Sequence, residues 1–148
     1  MDYRLLISQL EALTDGVENN VTNLANAAAL LYNEVEDVSW AGFYLAEGGV
    51  LTLGPFQGKP ACTRIGRGKG VCGTAFENGA TVVVPDVHEF AGHIACDAES
   101  KSEIVVPLFK NGSVFVVMDL DSTSLRRFGE ADREGLEGFA RILEAKLV

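Results

Sequence analysis

The sequence predicts an α+β fold: a central antiparallel sheet with helices packed on one face and loops forming a ligand pocket on the other. Three observations predict it. Apolar residues recur at helical spacing in the first third of the chain and again over residues 130–147. Between these regions lie two pairs of β-rich segments, each joined by a tight-turn sequence containing glycine. A polar stretch, residues 86–102, carries neither period, and is long for a connection inside a compact domain.

In order, Leu5, Leu6, Leu10 and Leu13 mark a first helix, and Val21, Leu24, Ala28 and Leu31 a second; Thr14, Asp15 and Gly16 separate them. Val38 to Leu45 and Val50 to Phe56 are rich in aromatic and β-branched residues and flank Glu47-Gly48-Gly49, which predicts a hairpin. Residues 57–70 contain four glycines and Pro60 and are expected as loop. Val71 to Glu77 is expected as a short helix closed by Asn78-Gly79, and Thr81 to Val84 as a short strand stopped by Pro85. Glu103 to Lys110 and Ser113 to Asp121 form a second hairpin around Asn111-Gly112. A last helix spans about Glu130 to Leu147, with Leu136, Phe139, Ala140 and Leu143 on one stripe.

With 148 residues the chain fits a single domain, 1–148, large enough to bury a core. Apolar residues at 47% and charged residues at 22% are an ordinary globular mix. No apolar run approaches the roughly 20 residues of a membrane span. Met1 to Leu10, with Asp2 and Arg4, makes a poor signal peptide, so the expected location is the cytosol. The net charge is −9, from 12 basic and 21 acidic residues, and Arg126-Arg127 is the longest basic cluster. Without a basic stripe, a nucleic-acid partner is set aside, and a small cationic or zwitterionic molecule suits the surface better.

Strand alternation sorts side chains onto two faces. Ala41, Phe43 and Leu45, then Ile104, Val106 and Leu108, then Val114, Val116, Met118 and Leu120 form apolar sets expected to face the helices. The opposite sets gather Trp40, Tyr44, Glu103, Asp119 and Asp121 on the loop-covered face. Two aromatic rings and three carboxylates on one concave surface have the composition of a small-molecule pocket.

The three cysteines, Cys62, Cys72 and Cys96, are spaced C-x9-C-x23-C, which suits structural zinc poorly. His88 and His93 keep a Cys/His site open as an alternative. Redox chemistry fits better: a thiolate attacks an electrophilic sulfur or oxygen, becomes a sulfenic acid, and condenses with a second cysteine. Reduction of a sulfoxide also needs a proton on the departing oxygen, which a carboxylic acid of raised pKa supplies. Asp97 beside Cys96 disfavours a thiolate, so activation is expected from Lys101, a histidine, local backbone dipoles or the substrate.

Several segments closely resemble the free methionine-(R)-sulfoxide reductases, whose fold is of the GAF type. They are residues 40–44 (WAGFY), 53–62 (LGPFQGKPAC), 68–75 (GKGVCGTA), 84–88 (VPDVH), 92–97 (GHIACD), 100–107 (SKSEIVVP) and 119–122 (DLDS), all in order and at the family's spacing. The resemblance implies reduction of the free amino acid's (R)-sulfoxide, with Cys96 as nucleophile, Cys62 as main resolving cysteine and Cys72 as an auxiliary one. It implies that Trp40, Tyr44, Ile94 and Ala95 line the substrate pocket, and that Glu103, Asp119 and Asp121 bind the ammonium and assist protonation. No bound cofactor or metal is implied; thioredoxin is the expected external reductant and a homodimer the expected assembly. Two departures are visible: Ala91 stands where proline is frequent, and Val114 to Val117 replaces a glycine-containing stretch. The alternative is a GAF sensor that binds a small ligand without chemistry.

Overall fold

The computed structural model describes residues 1–94 and 96–148. The chain runs α1 (Tyr3–Thr14), α2 (Asn20–Glu34), β1 (Trp40–Glu47), β2 (Val50–Gln57), β3 (Arg64–Gly66), α3 (Gly70–Asn78), β4 (Val82–Val84), a 3₁₀ turn (Val87–Glu89), β5 (Ser102–Lys110), β6 (Ser113–Ser122) and α4 (Glu130–Lys146). The strands form one sheet in the order β3-β2-β1-β6-β5-β4, with every adjacent pair antiparallel.

The first helix starts where Asp2 accepts the Leu5 N–H at 3.1 Å, and the second where Asn19 accepts that of Thr22 at 3.0 Å, satisfying amides that otherwise lack an intrahelical partner. Both hairpins turn through two successive residues of positive φ: Gly48 at 61° and Gly49 at 79°, Asn111 at 53° and Gly112 at 80°. That is the primed-turn geometry whose twist matches the flanking strands. Gly79, at φ 62°, closes α3 in the left-handed conformation.

Leu6 and Leu10 of α1, Leu24, Ala28 and Leu31 of α2, and Leu136, Phe139 and Leu143 of α4 pack on Phe43, Ile104, Val106, Met118 and Leu120, all buried. A second core lies on the opposite face. There Val71, Cys72, Ala75 and Phe76 of α3 meet Trp40, Tyr44, Val105 and Val117. The helices are therefore not confined to one face as the sequence predicted. The apolar side of α3 covers the loop face of the sheet and forms the floor beside the pocket.

Two further expectations need correction. Residues 57–70 are not all loop, because Arg64–Gly66 pairs with Val50, Leu51 and Thr52. The register also shifts between Leu108 and Phe109, which pair with Val116 and Val114. This leaves Phe115 as an extra residue, so Val114 packs with the pocket-face core and Phe115 with the helix-face core. A second irregularity between Gly42 and Tyr44 places Gly54 and Pro55 opposite Phe43, a position where proline's missing N–H is tolerated.

Candidate active site

The register of three strands builds the site. Trp40 pairs with Asp121, which pairs on its other side with Glu103; in the next pocket-facing row Gly42 pairs with Asp119, which pairs with Val105. Three carboxylates thus project from adjacent strands beside one indole, and the row containing Asp119 has no side chain on β1. Gly42 is required by what crosses it: a Cβ there would press on Phe56 Cβ and lie 2.7 Å from Trp40 Cη2. The Trp40 ring stacks with two others, 5.3 Å from Phe56 and 6.0 Å from Tyr44 between centroids. Its Nε1–H donates to the Lys59 carbonyl at 3.0 Å, satisfying the buried polar edge.

The pocket is lined by Trp40, Tyr44, Cys72, Cys96, Glu103, Asp119 and Asp121, with Ile65, Lys69, His93, Ile94 and Ser100 among its other walls. Ile94 is exposed at the mouth, and Ala95 lies outside the described residues. Glu103 and Asp119 are buried and Asp121 is partly buried. Burial raises all three well above the usual carboxylate range, and their mutual repulsion adds to it: Asp119 on Glu103, Asp121 on Asp119, Glu103 on Asp121. Among the described residues, Asp119 Oδ1 is buried without a hydrogen-bond partner. Three carboxyls whose neutral forms are favoured therefore share one small space with that oxygen.

Cys62 and Cys96 are joined by a disulfide, their Cα atoms 5.5 Å apart. Cys72 is a buried thiol in the first turn of α3, and it forms a group with a Glu103 and an Asp119 oxygen in which all three atoms lie within 4.8 Å of one another. Burial, then the three acids, pushes this thiol well up. Burial likewise raises the Tyr44 phenol.

His93 Nε2 stands 4.0 Å from Glu103 Oε1, and burial followed by the charge of His88 lowers its pKa. His88 is exposed and pairs with Asp86 at 3.2 Å, and Lys101 is exposed outside the pocket lining. Of the expected activating side chains, His93 is the one at the site. Lys69 and Ser100 line the pocket without having been singled out from sequence. Lys69 sits within Gly68-Lys69-Gly70, and its place in a glycine-rich bend before α3 was the available signal.

Residues 10–147 match the model of the GAF domain family, and the curled antiparallel sheet with its pocket on one face is a GAF domain. The free methionine-R-sulfoxide reductase of Escherichia coli (strain K12) is 48% identical over 145 residues, covering 98% of this chain and 88% of that protein. The reduced form of the Staphylococcus aureus fRMsr superposes with a TM-score of 0.96 at 48% identity, over 99% of this chain and 96% of that one. The Neisseria meningitidis free methionine-R-sulfoxide reductase in complex with its substrate gives 0.94 at 47% identity, over 97% and 87%. The chain belongs to the free methionine-R-sulfoxide reductase family within the GAF domains. Among the described residues no helix is long and apolar enough to cross a membrane.

Proposed function

We propose that this chain reduces the (R)-sulfoxide of free methionine, with Cys96 as nucleophile. The observation that carries the proposal is the Cys62–Cys96 bridge at the edge of a pocket walled by an indole, a phenol and three raised carboxyls. In the reduced protein the Cys96 sulfur attacks the sulfoxide sulfur while a protonated carboxyl gives a proton to its oxygen. The oxygen is transferred to Cys96 as a sulfenic acid, and methionine leaves. The Cys62 thiol then displaces that oxygen as water, forming the disulfide, and a dithiol such as thioredoxin returns both cysteines to thiols. The electrons come entirely from thiols, so no bound cofactor or metal is required, and a reducing compartment such as the cytosol suits the cycle. A homodimer is the assembly we expect.

Specificity for the free amino acid follows from charge. Its ammonium is the donor that Asp119 Oδ1 lacks, and once bound it favours ionisation of the acids beside it. A methionine within a peptide has no such cation, and the acids stay unpaired. Trp40 and Tyr44 supply flat apolar walls for the thioether end. The proposal is tested with purified protein, thioredoxin, thioredoxin reductase and NADPH, offering the R and S epimers separately. Oxidation of NADPH with the R epimer that is lost in Cys96→Ser is expected. Absence of turnover with both epimers, under any dithiol reductant, would leave a ligand-binding GAF domain instead.

A further inference from the structure

The bridged cysteines belong to two separate segments, residues 58–62 and 96–99; besides the disulfide, one side-chain ion pair joins them, and further hydrogen bonds orient its two partners. Trp40 Nε1–H donates to the Lys59 carbonyl at 3.0 Å, three residues before Cys62. Lys59 Nζ lies 3.1 Å from Glu99 Oε2, three residues after Cys96. Glu99 is oriented by Asp97, whose Oδ1 accepts the Glu99 N–H at 2.9 Å and whose carbonyl accepts that of Ser100 at 3.2 Å. Gly58, at φ 128°, permits the approach: a Cβ there would stand 2.6 Å from Trp40 Cδ1 and 3.0 Å from the Ser39 carbonyl oxygen. One side chain, Lys59, is therefore tied by its backbone to the pocket wall and by its ammonium to the nucleophile's loop.

We propose that Lys59 and Glu99 are positioning residues for the resolving step, forming a clasp that brings the Cys62 segment over the Cys96 sulfenic acid. The inference rests on the disulfide chemistry proposed above. Neither residue lines the pocket, so neither takes part in the first step, in which oxygen passes from substrate to Cys96. Their work comes afterwards. Cys62–SH and Cys96–SOH condense to S–S and water, and the rate depends on how often the two sulfurs meet. The hydrogen bond to Glu99, followed by the charges of Glu99 and Asp97, raises the Lys59 pKa above its ordinary value, so the ammonium is charged throughout the neutral range. Both side chains are exposed, at 64% and 69%, so the clasp weakens with salt and its effect on rate is expected to be severalfold rather than thousandfold.

The test uses the full-length reduced protein in single turnover, without thioredoxin. Methionine release reports the first step. Trapping of the sulfenic acid with dimedone, followed by mass spectrometry, reports its lifetime before the disulfide closes. Lys59→Met and Glu99→Gln are expected to release methionine at the wild-type rate and to lengthen the sulfenic-acid lifetime at least threefold. The double reversal Lys59→Glu with Glu99→Lys is expected to restore most of the loss. Added salt is expected to slow disulfide closure in the wild type and to leave Lys59→Met unchanged. Disulfide closure at the wild-type rate in both single variants would overturn the clasp. So would an equal slowing of both steps, which would mark a general structural effect. Absence of methionine release from the wild type would instead count against the proposed function.

Discussion

Gly42→Ala tests the packing that shapes the pocket. The new methyl would press on Phe56 Cβ and sit 2.9 Å from Phe56 Cα and 2.7 Å from Trp40 Cη2. Ordinary carbon contacts begin near 3.5 Å, so something must move by more than half an ångström. The β2 backbone is held by pairing of Gly42 with Phe56 and of Ala41 with Gln57, and on its far side β1 is held by β6. The Trp40 ring packs against Phe56 and Tyr44 and is anchored by its bond to the Lys59 carbonyl. Two of the three contacts are to the Phe56 backbone and its Cβ, which cannot swing aside as a flexible side chain would. Overpacking of this kind costs about 1–3 kcal/mol, and the backbone contact argues for the upper half of that range. At about 2–4 °C per kcal/mol for a domain of this size, the midpoint of thermal unfolding should fall by roughly 4–12 °C. Displacement of Trp40 also deforms the pocket wall opposite Asp119, so KM for methionine sulfoxide should rise with a smaller change in kcat. Circular dichroism melting and steady-state kinetics measure the two effects. A melting point within 1 °C of wild type together with an unchanged KM would show that neither the strand nor the ring is as tightly held as these distances require.

Three further outcomes are expected. Within α4, Gly135→Ala drives a methyl into the Tyr3 ring, which its hydroxyl's 2.6 Å bond to Asp132 fixes in place, whereas Gly138→Ala meets only Ile7 Cδ1 at 3.4 Å. The first should destabilise by about 1–3 kcal/mol and the second stabilise by about 0.5–1 kcal/mol; urea titrations that gave both the same sign would contradict the packing. Asp121→Ala should lower kcat/KM for free methionine sulfoxide at least tenfold, since a buried ammonium loses a charged partner, and wild-type kinetics would remove Asp121 from the site. The acids also set a pH dependence. Glu103, Asp119 and Asp121 bind protons more tightly folded than unfolded, so their contribution to stability is fully present below the unfolded carboxylate range near about 4 and is lost as pH rises through their raised folded values. Glu103→Gln should flatten that decline in denaturation midpoints measured across pH 4 to 8, and an unaltered slope would place the coupling elsewhere.

Much of this arrangement is written locally. Glu47-Gly48-Gly49 and Asn111-Gly112 demand positive φ, so both hairpins are legible, and alternation from them carries Trp40, Tyr44, Glu103, Asp119 and Asp121 to one face. What escapes is set by pairing across the sheet. Nothing in Val114-Phe115-Val116-Val117 marks Phe115 as the extra residue, since all four are apolar and either alternation buries them; only the partner strand fixes the bulge. Arg64–Gly66 is a three-residue strand inside a glycine-rich segment, too short to show a period, and it exists because Leu51 and its neighbours offer an open edge. The placement of α3 is hidden for a related reason. Val71, Cys72, Ala75 and Phe76 are buried beneath the loop face, but a nine-residue helix with glycine at two positions reads the same on either side of a sheet. Lys69 and Ser100 reach the pocket through that placement and through the loop before β5, so spacing along the chain does not single them out.

The three thiols are distinguished by environment more than by position in the chain. Cys72 sits in the first turn of a helix, where backbone dipoles favour a thiolate, yet burial against Glu103 and Asp119 overrides them and keeps it protonated. A thiol so held makes a poor first nucleophile. It is instead a neutral, polarisable part of the pocket floor that leaves the acids their protons. Cys62 and Cys96 are only partly buried, on segments that meet in the disulfide. In the proposed reaction, activation belongs to the bound state: a substrate ammonium would offset the acids, and the sulfoxide oxygen would accept the proton that one of them gives up. The same carboxyls that bind the ammonium in that reaction also supply the proton that sulfoxide reduction consumes, which couples recognition to turnover at Cys96.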